Sequence, residues 1–277
     1  MIPGILLLDG SLIPADEQTL KSFSPGVLKA EGVFETMRAC DGRIFLLDRH
    51  LQRLSDGLRI LKIKAPCSSR RMKEQICLCL RLNFFPDAKV RLTVWRRQGK
   101  SHIVLVSQPY HPFTKSKYQK GFQAVTLKIR RKESPRLSSV KSLDCSALRK
   151  AYTRARRKGK DEALLLNREG YLVEGSRSNV FLIVNGELWT PALECGCLKG
   201  ITRGAVIALA RDVGVKLKMV RIKPDQLEKA QEAFLTNSLM GVMPLTSIDG
   251  KKIGRGRAGP VTLQILKQYR TLIEAVS

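Results

Sequence analysis

The 277-residue chain has no long apolar run. Its longest, such as Ile5 to Leu8 and Ala163 to Leu166, fall far short of the roughly 18 residues that span a bilayer, so no membrane partner is expected. Met1 to Gly10 lacks a basic stretch followed by an apolar core and a small-residue cleavage site, so no secretory signal is expected and the protein is expected to be soluble and cytoplasmic. Cysteines number seven, at 40, 67, 77, 79, 145, 195 and 197, an odd count that argues against a disulfide framework. Cys77 and Cys79, like Cys195 and Cys197, are separated by a single residue, closer than zinc knuckles use, and the 3 histidines add no matching pattern. No metal is therefore expected, and these thiols read as small buried residues. Internal repeats and low-complexity stretches are also lacking.

Acidic residues are scarce as well: 24 Asp and Glu face 50 Lys and Arg, for a net charge of +26. Such a balance first suggests nucleic acid, whose phosphates release counterions to a basic surface. The basic residues, however, spread over nearly every segment, with short clusters at Arg70-Arg71, Arg96-Arg97, Arg130 to Lys132, Arg154 to Lys160 and Lys251-Lys252, and no nucleic-acid-binding module accompanies them. Nucleic acid is not the expected partner. A positive field also draws in small anionic ligands. What is abundant is apolar and charged in ordinary proportion, 43% and 27%, which excludes a disordered chain. At about 150 residues per domain the length allows one large or two ordinary domains.

Along the chain, Val33 to Ala39 and Ile44 to Leu47 read as strands around an Asp41-Gly42 turn. Asp48 is placed to cap a helix with apolar positions Leu51, Leu54, Leu58 and Leu61. A second helix is expected over Ser69 to Leu82, then strands Lys89 to Trp95 and His102 to Ser107. Pro109, Pro112 and polar neighbours from Gln108 to Gly121 read as a change of domain. This predicts a small N-terminal α/β domain over 1–114, a linker over 115–121 and a larger strand-rich domain over 122–277 with helices outside. In the latter, strands are expected at Phe122 to Ile129, Glu162 to Asn167, Tyr171 to Glu174, Asn179 to Val184, Glu187 to Thr190, Val215 to Ile222 and Ala233 to Thr236. A loop runs through Pro135, and Asn185-Gly186 predicts a type I′ hairpin. Helices are expected at Ser146 to Lys158, Thr202 to Asp212, from Pro224, and Pro260 to Ala275.

Four features could carry chemistry. Lys141 lies between a loop and a helix; a lysine buried at such a junction titrates lower than in water and can form a Schiff base, although a lone lysine is usually a solvated charge. Glu174 ends a hairpin strand, where a carboxylate either caps a turn or faces inward to hold a cation. Gly200-Ile201-Thr202-Arg203 precedes a helix whose first N–H groups attract anions. Thr236-Asn237-Ser238 follows a strand and offers hydroxyls and an amide to a phosphate or to its own turn.

Taken in order, these pieces resemble the class IV (fold-type IV) pyridoxal-phosphate enzymes, which include branched-chain and D-amino-acid aminotransferases and aminodeoxychorismate lyase. The matching stretches are Glu31-Gly-Val-Phe-Glu-Thr-Met-Arg38, Asp48-Arg-His-Leu-Gln-Arg-Leu54, Lys141-Ser-Leu143, Asp161-Glu-Ala-Leu-Leu-Leu166 through Glu174-Gly-Ser176, Gly200-Ile-Thr-Arg203 and Phe234-Leu-Thr-Asn-Ser-Leu-Met240. The resemblance implies pyridoxal 5′-phosphate as cofactor, Lys141 as the catalytic residue that carries it as an aldimine, Glu174 against the pyridine nitrogen, Arg53, Ile201, Thr202 and Ser238 around the phosphate, and Leu198 on the ring. It further implies Arg96 and Asn237 in substrate binding, a small anionic amino-acid-like substrate and a homodimer. Leu28-Lys29-Ala30 replaces the aromatic-Gly-Asp common before the first stretch, and Asp144 stands where asparagine is frequent.

The resemblance leaves two reactions. Thr236 to Pro244 is closer to the lyase loop than to the Gly-Thr-Ala loop of branched-chain transaminases. The expected reaction is therefore that of 4-amino-4-deoxychorismate lyase, releasing pyruvate to give 4-aminobenzoate. The alternative is amino transfer from branched-chain or D-amino acids to 2-oxoglutarate, and a third reading is a non-enzymatic basic nucleic-acid-binding protein.

Overall fold

The computed structural model describes residues 4–16, 19, 30–128 and 139–275. The chain is mixed α/β and packs into two compact units. One holds the residues up to His111 together with Val140–Asp144, and the other holds Pro112–Ser139 and Cys145–Ala275. The first unit thus recruits a piece of chain from beyond the expected boundary. The reason is backbone pairing: Phe34 N–H donates to Lys141 O (3.0 Å) and Leu143 N–H to Gly32 O (2.9 Å). The stretch 115–121, expected as a linker, instead holds a short helix, Lys115–Lys120, which Thr114 caps by accepting from Lys117 N–H.

In the first unit, β1 (Gly4–Leu8), β2 (Ser11–Ala15), β3 (Glu31–Cys40), β4 (Arg43–Ile44), β5 (Asp87–Arg97) and β6 (Lys100–Pro109) form an antiparallel sheet in the order β2-β1-β6-β5-β3-β4. Helices α1 (Leu47–Ile60) and α2 (Ser69–Asn83) cover one face, burying Leu51, Leu54, Leu58, Met72 and Ile76 against Val33, Met37, Val90, Leu92 and Val94. Period-two alternation sends Phe34, Thr93 and Trp95 to the opposite face, where Trp95 joins Leu6, Val104 and Leu143. The strand expected over Ile44 to Leu47 stops at Ile44. Leu46 takes a left-handed conformation (φ 55°, ψ 39°) and α1 starts at once, so Asp48 lies in its first turn rather than at the cap. There it still opposes the positive end of the helix.

In the second unit the strands are β7 (Phe122–Lys128), β8 (Glu162–Leu166), β9 (Leu172–Gly175), β10 (Asn179–Val184), β11 (Glu187–Pro191), β12 (Leu217–Val220), β13 (Glu232–Asn237), β14 (Gly241–Ile248) and β15 (Lys251–Lys252). They make one mixed sheet ordered β12-β11-β10-β13-β14-β7-β8-β9, with β15 on β14. Every residue of β8 and β10 is buried, which is why both read as continuous apolar runs. The helices are α3 (Lys115–Lys120), α4 (Ser146–Arg157), α5 (Ile201–Asp212), α6 (Pro224–Glu228) and α7 (Pro260–Glu274). Among the described residues no helix is long and apolar enough to cross a membrane. The end of the strand expected to reach Ile129, the loop through Pro135, and Leu28 and Lys29 lie outside the described residues.

One buried carboxylate fastens α7 to the sheet. Glu232 on β13 accepts from Val261 N–H (3.1 Å) and Thr262 N–H (2.7 Å), the first-turn donors that no helical carbonyl reaches. Glu232→Ala removes this long-range cap and is expected to cost about 1–2 kcal/mol, read as a lowered denaturant midpoint with unchanged slope.

Candidate functional site

Candidate functional side chains gather in two places, one in each unit. In the first, Glu35 on β3 points to the helical face and is fully buried (0% exposed). It meets two residues spaced along α1. Arg53 grips it through Nε–Oε1 (2.7 Å) and Nη2–Oε2 (2.6 Å), and His50 Nδ1 lies 2.7 Å from Oε2. Burial alone raises a carboxylate, but these hydrogen bonds and the Arg53 charge win and hold Glu35 down at about 2. The carboxylate is therefore the acceptor and His50 Nδ1–H the donor. His50 is pushed below its ordinary range, first by burial and then by the nearby Arg53 and Lys141 cations, against the pull of Glu35. Glu35 thus fixes the plane of the Arg53 guanidinium through Nε and Nη2.

Lys141 runs beside β3, and its Nζ lies 4.9 Å from the centroid of the Phe34 ring. The Arg91 guanidinium carbon stands 3.9 Å from the same ring. An amine and a guanidinium thus flank one aromatic side chain, on the face that carries Trp95, Val104 and Leu143. Arg96 does not join them. It lies an odd number of residues from Arg91 and so on the other face of β5, where it pairs with Glu31 and donates to Lys62 O (3.4 Å). Sequence reasoning overlooks Arg91 because the Arg96-Arg97 doublet draws attention; its signal is strand parity with Trp95.

The second place is built around the hairpin of β9 and β10. Glu174, 5% exposed, accepts from Leu198 N–H (2.9 Å) and Asn179 Nδ2 (3.3 Å) through Oε2. Asn179 also donates to Leu198 O (2.9 Å), so one amide fixes both the carboxylate and the loop that passes over it. A second buried carboxylate, Glu162, shapes the turn after Glu174. It accepts from Ser176 Oγ, Ser178 Oγ (2.8 Å), Ser176 N–H (3.1 Å) and Arg177 N–H (3.3 Å). Burial nevertheless pushes Glu162 above the ordinary carboxylate range. Gly175 is required here, since a Cβ would lie 2.2 Å from Ser178 Oγ.

Helix α5 opens at Gly200, which has no side chain to cap it, with Ile201 and Thr202 in its first turn. Its first N–H groups therefore suit an anion. Thr236, opposite Asn179 across the strand pair, has a buried hydroxyl without a hydrogen-bond partner. An orphaned hydroxyl of this kind is expected where a polar ligand completes a site. Ser238 follows in the half-buried turn after β13. Asn237 is committed to that turn: Oδ1 accepts from Leu239 N–H (3.0 Å) and Met240 N–H (2.9 Å), and Nδ2 donates to Arg177 O (3.1 Å). Cys195 and Cys197 are buried thiols, the latter pushed up to about 12 chiefly by burial.

The family model for amino-transferase class IV matches residues 32–248. The branched-chain-amino-acid aminotransferase of Pseudomonas aeruginosa is 33% identical over 288 residues, covering 98% of this chain and 93% of its own. The aminodeoxychorismate lyase of Bacillus subtilis is 30% identical over 281 residues, covering 98% and 95%. Branched-chain-amino-acid aminotransferase recurs among the names of further relatives. Among solved structures, the branched-chain aminotransferase of the thermophilic archaeon Thermoproteus uzoniensis, determined with norvaline, superposes with a TM-score of 0.85 at 30% identity, covering 96% of this chain and 93% of that one.

Proposed function

Since the chain belongs to the class IV aminotransferases, we propose that this pyridoxal-phosphate enzyme transfers the amino group of branched-chain amino acids to 2-oxoglutarate. The flanking of Phe34 by Lys141 and Arg91 carries this reading, because it sets a base and a carboxylate-binding cation beside an apolar wall. An aliphatic side chain suits the half-buried ring of Phe34, which packs on the apolar core of Trp95, Val104 and Leu143, better than the dicarboxylate of the lyase reaction does. The recurring aminotransferase names among the relatives support the same choice. The loop from Thr236 to Pro244, which favoured the lyase, loses weight because Asn237 folds its own turn. The Bacillus lyase keeps elimination as the second reading.

When bound, pyridoxal phosphate supplies an electron sink for the substrate Cα and holds the amino group between two half-reactions. In the first unit, Lys141 Nζ would hold the cofactor and serve as the base for the proton at the substrate Cα. Arg91 orients a substrate carboxylate by paired N–H donors. Arg53, fixed by Glu35, would contribute to holding the phosphate. In the second unit, Glu174 would accept from a protonated ring nitrogen, Leu198 would pack on the ring, and Ile201 N–H, Thr202 N–H and Ser238 would offer donors to the phosphate. The fit is chemical in each case: anionic acceptor to cationic ring, helix N-terminus to phosphate.

A substrate panel tests the reading. Leucine, isoleucine and valine with 2-oxoglutarate are expected to yield glutamate, whereas release of pyruvate and 4-aminobenzoate from aminodeoxychorismate without amino transfer would overturn it. Within that assay Arg91→Met is expected to raise KM by about 10–100-fold, the loss of a charge-assisted contact. Arg96→Met is expected to stay within a few-fold of wild type.

A further inference from the structure

Among the described residues Arg203 is the one arginine or lysine that is buried, at 3% exposed, and the mechanism above gives it no task. Its bonds go to neutral atoms of β11: Nη2 donates to Pro191 O (3.0 Å) and Nε to Thr190 Oγ1 (3.4 Å). No carboxylate among the described residues lies within ion-pair distance of it. A guanidinium kept from water without a counter-charge is costly, so a compensating anion is required nearby.

The packing identifies that anion. Pro191 O, which receives Arg203 Nη2, also receives Cys197 Sγ at 3.6 Å, and the next residue, Leu198, donates its N–H to Glu174 Oε2. From the other side, Asn179 holds Glu174 with Nδ2, while its Oδ1 lies where a Cβ on Gly200 would be, at 2.0 Å. That same Cβ would lie 3.3 Å from Arg203 Cβ. Glu174, Asn179, Gly200 and Arg203 are therefore one nested cluster. Among the described residues, the titratable groups whose fields reach Arg203 are Cys197 and Glu174, and Cys197 is a neutral thiol at ordinary pH, which leaves the carboxylate.

We infer that Arg203 is a positioning residue whose buried charge keeps the Glu174 carboxylate ionised, and thereby keeps the cofactor's ring nitrogen protonated. The first half concerns this chain alone, and the second half rests on the cofactor reading above. Arg203 touches neither substrate nor reacting atoms and acts through Glu174.

The two halves have separate tests. In the cofactor-free protein, E174Q and R203M each strand one buried charge and are expected to lower the apparent Tm by about 6 °C or more, while E174Q/R203M, with neither charge, is expected to be no less stable than either single variant. Losses that simply add, or a double variant that unfolds more readily than R203M, overturn the pairing. If R203M fails to fold alone, recovery of a folded double variant supports it. In the loaded protein, 15N-labelled pyridoxal phosphate is expected to show a protonated ring nitrogen in wild type and R203K and an unprotonated one in R203M. A protonated nitrogen in R203M overturns the second half. Coupling in the cycle together with no cofactor uptake by wild type overturns the cofactor reading and leaves the charge pair supported.

Discussion

Lys141→Ala is expected to abolish the visible absorbance band of the cofactor-loaded protein, to prevent borohydride from fixing the cofactor to the chain, and to lower turnover by at least about 10²–10⁴-fold. The expectation follows from placement rather than from residue type, since a chain with 50 Lys and Arg offers many amines. Lys141 is set apart by its backbone, which is tied to β3 through Phe34 N–H, and by its Nζ at 4.9 Å from the Phe34 ring. Small primary amines added to the Lys141→Ala protein are expected to restore part of the lost turnover, because they supply the missing base without the tether. A reducible band that persists in Lys141→Ala would place the cofactor on another lysine and sink the mechanism.

Much of this is legible in the sequence because local rules and tertiary packing agree. The helical period of Leu51, Leu54 and Leu58 is the packed face of α1, and Asn185-Gly186 has the paired positive φ values, 50° and 74°, of its predicted turn. What is not legible has opposing local signals. The first hairpin shows in the sequence only as an apolar run, Ile5 to Leu8, although Asp9-Gly10 marks its turn with φ values of 51° and 92°. β14 escapes because it is buried along its whole length, so nothing alternates, and because Pro244 argues against a strand. The site residues divide in the same way. Lys141 and Glu174 stand out by motif, whereas Asn179, Glu162 and Arg203 act through bonds to residues distant in sequence. Glu35 and His50 lie inside the matching motifs without an assigned task, since their meaning emerges only when β3 and α1 are laid side by side.

That pairing of β3 with α1 gives the largest stability effect. Glu35→Ala leaves the partly buried Arg53 cation without the Glu35 anion and the buried His50 Nδ1–H without its acceptor, and is expected to cost about 3–5 kcal/mol. Acid titrates the same network, and both of its groups act with one sign. Glu35 is held at about 2 against an ordinary 4.5, so its contribution is full above pH 4.5 and is lost as the pH falls toward 2. His50 is also lowered, from an ordinary 6.5; its contribution is full above pH 6.5 and declines as the pH falls below it, because the unfolded chain takes up the proton first. Stability measured by denaturant titration is thus expected to fall in two stages on acidification. His50→Gln keeps a donor for Glu35 and removes the titration, so it is expected to flatten the stage that begins at pH 6.5 and to leave the one below pH 4.5. Unchanged slopes in both stages would show that the network does not govern the acid limb. Because Arg53 takes its direction from Glu35, Glu35→Ala is also expected to weaken cofactor uptake, measured as a raised Kd for pyridoxal phosphate, whereas His50→Gln, which leaves the Arg53–Glu35 fork in place, keeps it near wild type.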